Sequence, residues 1–437
     1  MSVMEQQVCI KTIYMKAYFM FCALFSVAAD IFLEETEAKI ILSFLIIGAS
    51  LLLLLCHRKS LLLLFILGVL AYANYSICFV NYISYASHTM FTGLANAAVG
   101  LTGAQILLLF TAILGLFMHS NTSKYELPNL FNQNVCRNNR YYLFHFSTVI
   151  LLALILVFAY ARPETAGERG SPSTIYEYSI LLVTVGLYYS SESRFIRSLY
   201  VLMAALYATQ NFMFGGRITG LQLIFILLLF WGSSRKISWK MWGMGIALYL
   251  CMITIGELRG QILSGTFTDL TSAVSKVMER GFSLDTAYSS YFTSLQFVLV
   301  ADATSIGDRL YMGLLQMISY IVGGTIIPEA NIALYVGQFY KNYMGGVLPF
   351  FGYFCFSWLG VVFYALLTCA YLNRFVRISE KGFSASAHGF LVCTAVYLAA
   401  TAFRWYLYTP NNLIRGVLLL GIVYYISKRV LSFEELS

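Results

Sequence analysis

Charge is what this chain most conspicuously lacks. Asp, Glu, Lys and Arg together supply only 11% of its 437 residues, against 59% hydrophobic types. A soluble domain carries about a quarter charged residues, so water is excluded as the main solvent. No polar stretch is long enough for a soluble domain, because apolar runs near the ~20 residues needed to cross a bilayer recur from end to end. No CxxC or HExxH motif occurs, and the histidines His57, His88, His119, His145 and His388 are scattered without paired spacing, so no metal site is expected. Cys9 and Cys136 fall in segments read as inward-facing, and the other seven cysteines lie in or beside apolar runs, which excludes a disulfide framework. No small-residue cleavage pattern separates the first apolar run, Tyr14 to Leu33, from the next at Ala38, so the first is expected to be a retained helix and not a signal peptide. Nor does the order of short and long loops repeat, as it would in a two-half transporter.

What is present is a series of apolar segments. Hydropathy places helices near 14–33, 38–55, 60–80, 94–118, 142–161, 176–190, 198–214, 218–232, 239–256, 347–372, 386–403 and 412–427. The expected fold is all-α: a polytopic membrane protein with about twelve transmembrane helices in one membrane domain, 1–437. With an inward N-terminus, seventeen of the 28 Lys and Arg fall on the inner side; over short segments the contrast is seventeen against six. Both termini are therefore expected to be cytoplasmic. The same loop bias accounts for the net charge of +8, which removes the argument for nucleic acid.

One connection stands apart, the outer loop 257–346 between the ninth and tenth helices. Loops of this length are usually functional. Asp269, Asp285 and Asp308 sit where helix N-caps would, and Gly281, Gly323 and Gly324 where helices would stop, so about three helices are expected. Gly313 to Val322 is apolar but too short to span, which suggests a segment lying over the membrane helices as part of a lid.

The outer side carries eight arginines, Arg162, Arg169, Arg217, Arg259, Arg280, Arg309, Arg404 and Arg415, against Lys39, Lys276 and Lys341. A guanidinium is planar, always charged and grips phosphate through paired hydrogen bonds, so this bias suits a diphosphate. Arg217, Arg259, Arg404 and Arg415 lie at helix ends, where ionisable groups are costly and functional by default. Snorkelling to headgroups or pairing with loop acids is the competing reading for any one of them. Asn96, Gln105, Gln210, Asn211 and Gln222 read as interhelical glue, and the run Trp405 to Tyr408 as an interfacial aromatic belt. Asp30, Glu177 and His88 lie near the outer boundary but are set aside, because an acid at a helix end usually faces solvent or headgroups.

Gly215-Gly-Arg-Ile-Thr-Gly220 opening an apolar helix, the late outer loop, Asn342-Tyr-Met-Gly-Gly-Val-Leu-Pro349 leading to Trp358-Leu-Gly-Val361, and Phe403-Arg-Trp405 before the last helix together resemble the O-antigen and capsular polysaccharide polymerases, the Wzy family of the bacterial inner membrane. Many relatives carry an acidic residue after the glycine-proline segment, where this chain has Phe350, Phe351 and Gly352. The resemblance implies a glycosyltransferase acting at the periplasmic face on undecaprenyl-diphosphate-linked oligosaccharide units, alongside a chain-length-regulating partner. Diphosphate binding would fall to Arg217, Arg259, Arg404 and Arg309, with no metal or other cofactor required. Candidates for the base that accepts the hydroxyl proton are Glu257, Asp302, Asp308 and Glu329, with Glu257 and Asp302 ranked first. Rival expectations are a lipid-linked oligosaccharide flippase and an O-antigen ligase; the long outer loop and rim arginines favour the polymerase over the flippase.

Overall fold

The computed structural model describes residues 3–58, 60–84, 93–119, 142–161, 170–190, 193–214, 217–232, 270–322, 330–341, 345–378 and 385–436, with isolated positions between 243 and 258. Helices make up nearly all of it: α1 (Val3–Phe32), α2 (Glu35–Cys56), α3 (Leu61–Cys78), continued by a π turn (Phe79–Ile83), α4 (Gly93–Asn96), α5 (Ala98–Phe117), α6 (Tyr142–Phe158), α7 (Thr174–Tyr189), α8 (Arg194–Phe214) and α9 (Arg217–Gly232). Then come α10 (Leu270–Glu279), α11 (Asp285–Ala303), α12 (Ile306–Val322), α13 (Ile332–Gly337), α14 (Leu348–Ile378), α15 (Ala385–Ala400), α16 (Ala402–Leu407) and α17 (Asn411–Leu436). Five segments, Ile13–Phe32, Glu35–Cys56, Leu61–Ile83, Ala98–Phe117 and Leu348–Phe375, are long and apolar enough to cross a membrane; Tyr142–Phe158, Ile218–Trp231 and Gly389–Ala400 are shorter apolar helices. The chain is thus all-α with several membrane-compatible helices, and the segment expected at 239–256 falls almost wholly outside the described residues.

The centre is α5, buried along most of its length and packed by α1, α2, α11 and α14. Its glycines let neighbours approach: a Cβ on Gly115 would lie 2.3 Å from the Phe19 ring, and one on Gly103 2.3 Å from the Tyr291 hydroxyl. At one end of the bundle Lys16 donates to the carbonyls of Gly115, Leu116 and Met118 at the close of α5. His57 meets the His119 carbonyl there, and Asn373 bonds both Phe117 and His119. These are helix ends expected on the inner side, and the lysine and asparagine satisfy carbonyls that a helix terminus leaves open. At mid-bundle Asn74 donates to Ser50 (2.9 Å) and Thr111 (3.3 Å) and accepts from the Tyr406 hydroxyl (2.8 Å), joining α2, α3, α5 and α16. Asn74→Leu strands those buried groups and is expected to cost about 1–2 kcal/mol, read as a lower thermal midpoint in detergent; Tyr406→Phe, which removes one bond, should cost less.

Three local expectations need correction. The helix expected over 347–372 is broken at Phe356 (φ −133°) and Ser357 (φ 54°, ψ −142°). The chain then doubles back: Gly352 and Gly360 touch backbone to backbone, a Cβ on Gly360 falling 1.9 Å from the Gly352 carbonyl oxygen. In an unbroken helix residues eight apart would be separated by about 12 Å. Tyr353 and Trp358 meet edge to face across the turn, with ring centres 5.4 Å apart. α14 is therefore a hairpin of a short arm, 348–355, and a long arm, 358–378.

Segment 257–346 holds four described helices, and its longest, α11, is not laid over the bundle. It is packed among α3, α5 and α14 and buried on most of its residues, because Ala287, Ser290, Tyr291, Ser294, Leu295 and Val298 present small or apolar surface all round. Its lower end is tied to α3: Tyr75 and Tyr72 donate to the Gly281 and Phe282 carbonyls, and Ser76 accepts from Leu284. The Gly281 stop is as expected, with φ +59° and the Phe282 amide returning to the Val277 carbonyl at 3.0 Å. The caps differ. Asp285 is the first residue of α11 and not its N-cap. Asp308 sits third in α12, where its carboxylate accepts from the Ser305 hydroxyl (2.7 Å) while the Ser305 side chain caps the helix by accepting from the Asp308 amide. Asp269, Gly323 and Gly324 lie outside the described residues.

The aromatic run is not a belt. Trp405, Tyr406 and Leu407 are buried in α16; the indole donates to the Leu398 carbonyl (2.9 Å) and the Tyr406 hydroxyl to Asn74, so both polar tips are satisfied inside the bundle. Of the expected polar glue, Gln210 and Asn211 meet on the Tyr176 hydroxyl, whereas the Gln222 amide nitrogen is buried without a partner and Asn96 is exposed.

Candidate functional site

Four helix termini converge at the other end of the bundle. Ser173 caps α7 by accepting from the Tyr176 amide (3.3 Å), which starts the helix so that Glu177 lies in its first turn, where the helix dipole favours a negative charge. Thr219 lies in the first turn of α9. The short α16 carries Arg404, and after Pro410 the chain enters α17, which carries Arg415 in its second turn. Arg404 Nη2 donates to Glu177 Oε1 at 2.8 Å and to Thr219 Oγ1 at 2.7 Å. The two charged side chains remain 22% and 34% exposed, so the pair is accessible from outside while most of the arginine is enclosed.

Beside it, Arg415 Nε donates to the Tyr178 hydroxyl (2.9 Å), and its guanidinium carbon lies 5.6 Å from the centre of the same ring. Glu177 and Tyr178 are consecutive, so successive residues of α7 each engage one of the two arginines. Tyr397 lies within electrostatic reach of both guanidiniums and of Glu177, and donates to Asn412 at 3.2 Å. Gly416 makes that contact possible, since a Cβ there would fall 2.0 Å from the Tyr397 hydroxyl. The Asn411 side-chain oxygen is buried without a partner among the described residues. The outer loop reaches this corner too: the Gly346 amide donates to the Tyr408 carbonyl (3.0 Å), and Gly345, at φ +151°, packs against Tyr408. Two hydrogen-bonded cations, a carboxylate and several hydroxyls at partly buried positions suit an anionic ligand bearing polar substituents.

Of the predicted phosphate ligands, Arg404 belongs to this group. The backbone of Arg217 starts α9, two residues before Thr219, but its side chain lies outside the described part, as do Arg259 and the candidate bases Glu257 and Glu329. Arg309 belongs elsewhere. It sits on α12 within electrostatic reach of Asp302, Tyr353 and Cys355, and its buried Nε has no partner among the described residues. Asp302 is exposed at the end of α11; partial desolvation raises its carboxyl pKa, and the Arg309 charge opposes that rise. Arg309 and Asp302 therefore form a second group that shares no partner with Arg404, and Asp308 is engaged with Ser305. Asp302 and Arg309 were expected in one pocket with Arg404; among the described residues neither bonds to Arg404 or Glu177, although α11 touches α16 and α12 packs against α17.

Sequence reasoning set aside Glu177 and did not consider Tyr178, Thr219 or Tyr397. Glu177 and Tyr178 follow a Ser-Pro-Ser helix start at the same level as the rim arginines, which was the one signal available. Among the described residues no three His, Cys, Asp or Glu side chains gather as a metal site. No known protein family, no curated protein and no solved structure matches the chain.

Proposed function

We propose that this chain is a polysaccharide polymerase of about twelve membrane spans, which transfers a growing glycan from undecaprenyl diphosphate to the non-reducing sugar of an incoming lipid-linked repeat unit. In this reading the Arg404 end faces the periplasm of a bacterial inner membrane. The observation that carries it is that Glu177 and Tyr178, consecutive on α7, engage Arg404 and Arg415 at partly buried positions among other polar side chains. Such preorganised cations stabilise negative charge as it develops on a leaving diphosphate, and they do so without a metal ion. The acceptor hydroxyl loses its proton as its oxygen attacks the anomeric carbon, and the carbon–oxygen bond to phosphate breaks with its electron pair going to the diphosphate.

The lipid-linked species that accumulate when the gene is removed test this reading. Single repeat units transferred onward without elongation are expected, together with loss of the long-chain ladder on a polysaccharide gel. Repeat units trapped on the cytoplasmic leaflet would instead identify a flippase, and full-length polymer left on its lipid carrier would identify a ligase.

A further inference from the structure

We infer that Glu177 is the counter-ion displaced when the diphosphate arrives and the general base that then takes the proton of the acceptor hydroxyl. The inference rests on the diphosphate reading above and deepens it. Arg404 is already engaged: its Nη2 serves Glu177 Oε1 at 2.8 Å and Thr219 Oγ1 at 2.7 Å. An arriving diphosphate oxygen that uses this nitrogen has to take the carboxylate's place. Exchange is possible because the pair is not sealed, with Glu177 34% exposed. A buried ion pair would resist such exchange, since a displaced carboxylate left without water or a partner is strongly disfavoured.

The displaced carboxylate stays close by, because Glu177 is tethered to the first turn of α7 beside Tyr178, which continues to hold Arg415. Its three side-chain torsions let the carboxylate turn away from the guanidinium while the backbone stays in place. Of the candidate bases that are described, Asp302 lies within electrostatic reach of Arg309 and Asp308 is held by Ser305. The unpartnered Asn411 oxygen and the Tyr397 hydroxyl supply polar contacts for a sugar at the same corner. In the step itself the acceptor oxygen bonds to the anomeric carbon, its proton passes to a Glu177 oxygen, and the diphosphate leaves as the anion held by the arginines.

The two roles make opposite demands on one substitution. Glu177→Gln removes the competing charge and the base together, keeping the side chain's size. Purified protein in nanodiscs is expected to bind undecaprenyl diphosphate several-fold more tightly than wild type, while cells carrying only this variant lose elongation by about 10²–10⁴-fold. Glu177→Asp, which keeps a carboxylate, should retain partial elongation and serves as the second variant should the glutamine protein fail to fold. Binding and elongation weakened together in a folded Glu177→Gln would make the pair a scaffold only, and elongation at the wild-type level would exclude the base; either result overturns the inference. Wild-type protein that does not bind undecaprenyl diphosphate at all would instead overturn the diphosphate reading beneath it.

Discussion

Arg404→Ala is expected to remove most elongation, by about 10²–10³-fold, the usual loss when one fixed donor to a developing oxyanion is deleted. The protein should survive the change. Glu177, released from its partner, is 34% exposed and can be hydrated, so the heavy penalty of an abandoned buried charge does not arise. Undecaprenyl diphosphate binding by the purified protein should weaken in parallel with chain length on a gel, which ties the loss to the ligand. Arg404→Lys should recover only part of it, because an ammonium on a flexible stem cannot serve Thr219 and a phosphate oxygen with the fixed geometry of a guanidinium. Arg309→Ala, in the separate group on α12, should cost less than Arg404→Ala. Equal losses at both positions would mean that a single site includes the two groups.

The second large effect concerns stability. Gly360→Ala places a methyl where the structure has 1.9 Å to the Gly352 carbonyl oxygen, a backbone atom that cannot rotate away. The arms of α14 would have to separate, and overpacking of this kind costs about 1–3 kcal/mol or more. The expected result is a marked fall in the thermal midpoint of the detergent-purified protein, read by size-exclusion after heating. Gly68→Ala is the matched control: nothing lies within 4 Å of a Cβ there, and alanine is favoured over glycine within a helix by about 1 kcal/mol. If both variants melt like wild type, the hairpin contact is absent in the membrane.

Most of the helical layout could be read from the chain, since apolar runs announce themselves whatever they pack against. Gly281 was legible for a similar reason, being a local stop set by a left-handed backbone. Arg404 was legible because a charge at a helix end in so apolar a chain needs a purpose. Glu177 was not, because its meaning depends on which helix ends touch, and nothing local to α7 says that α16 lies across from it. Trp405 and Tyr406 misled because an aromatic run has the same composition whether it faces headgroups or a core; only the partners at Leu398 and Asn74 tell the two apart. The break at Phe356 and Ser357 carries no proline or glycine. Its one trace is the pair Gly352 and Gly360, eight residues apart, which matches no contact within a straight helix and fits the crossing of two.

The burial of α11 also constrains biosynthesis. Residues 285–303 fill a slot between α3 and α5, whose own residues are made some two hundred positions earlier. Until the ribosome has supplied residues 281–303, Tyr72, Tyr75 and Ser76 lack the backbone partners they hold in the folded protein. The nascent N-terminal helices are thus an unfinished assembly, and truncation before residue 285 should yield a product fit for quality-control proteolysis and not a smaller stable bundle.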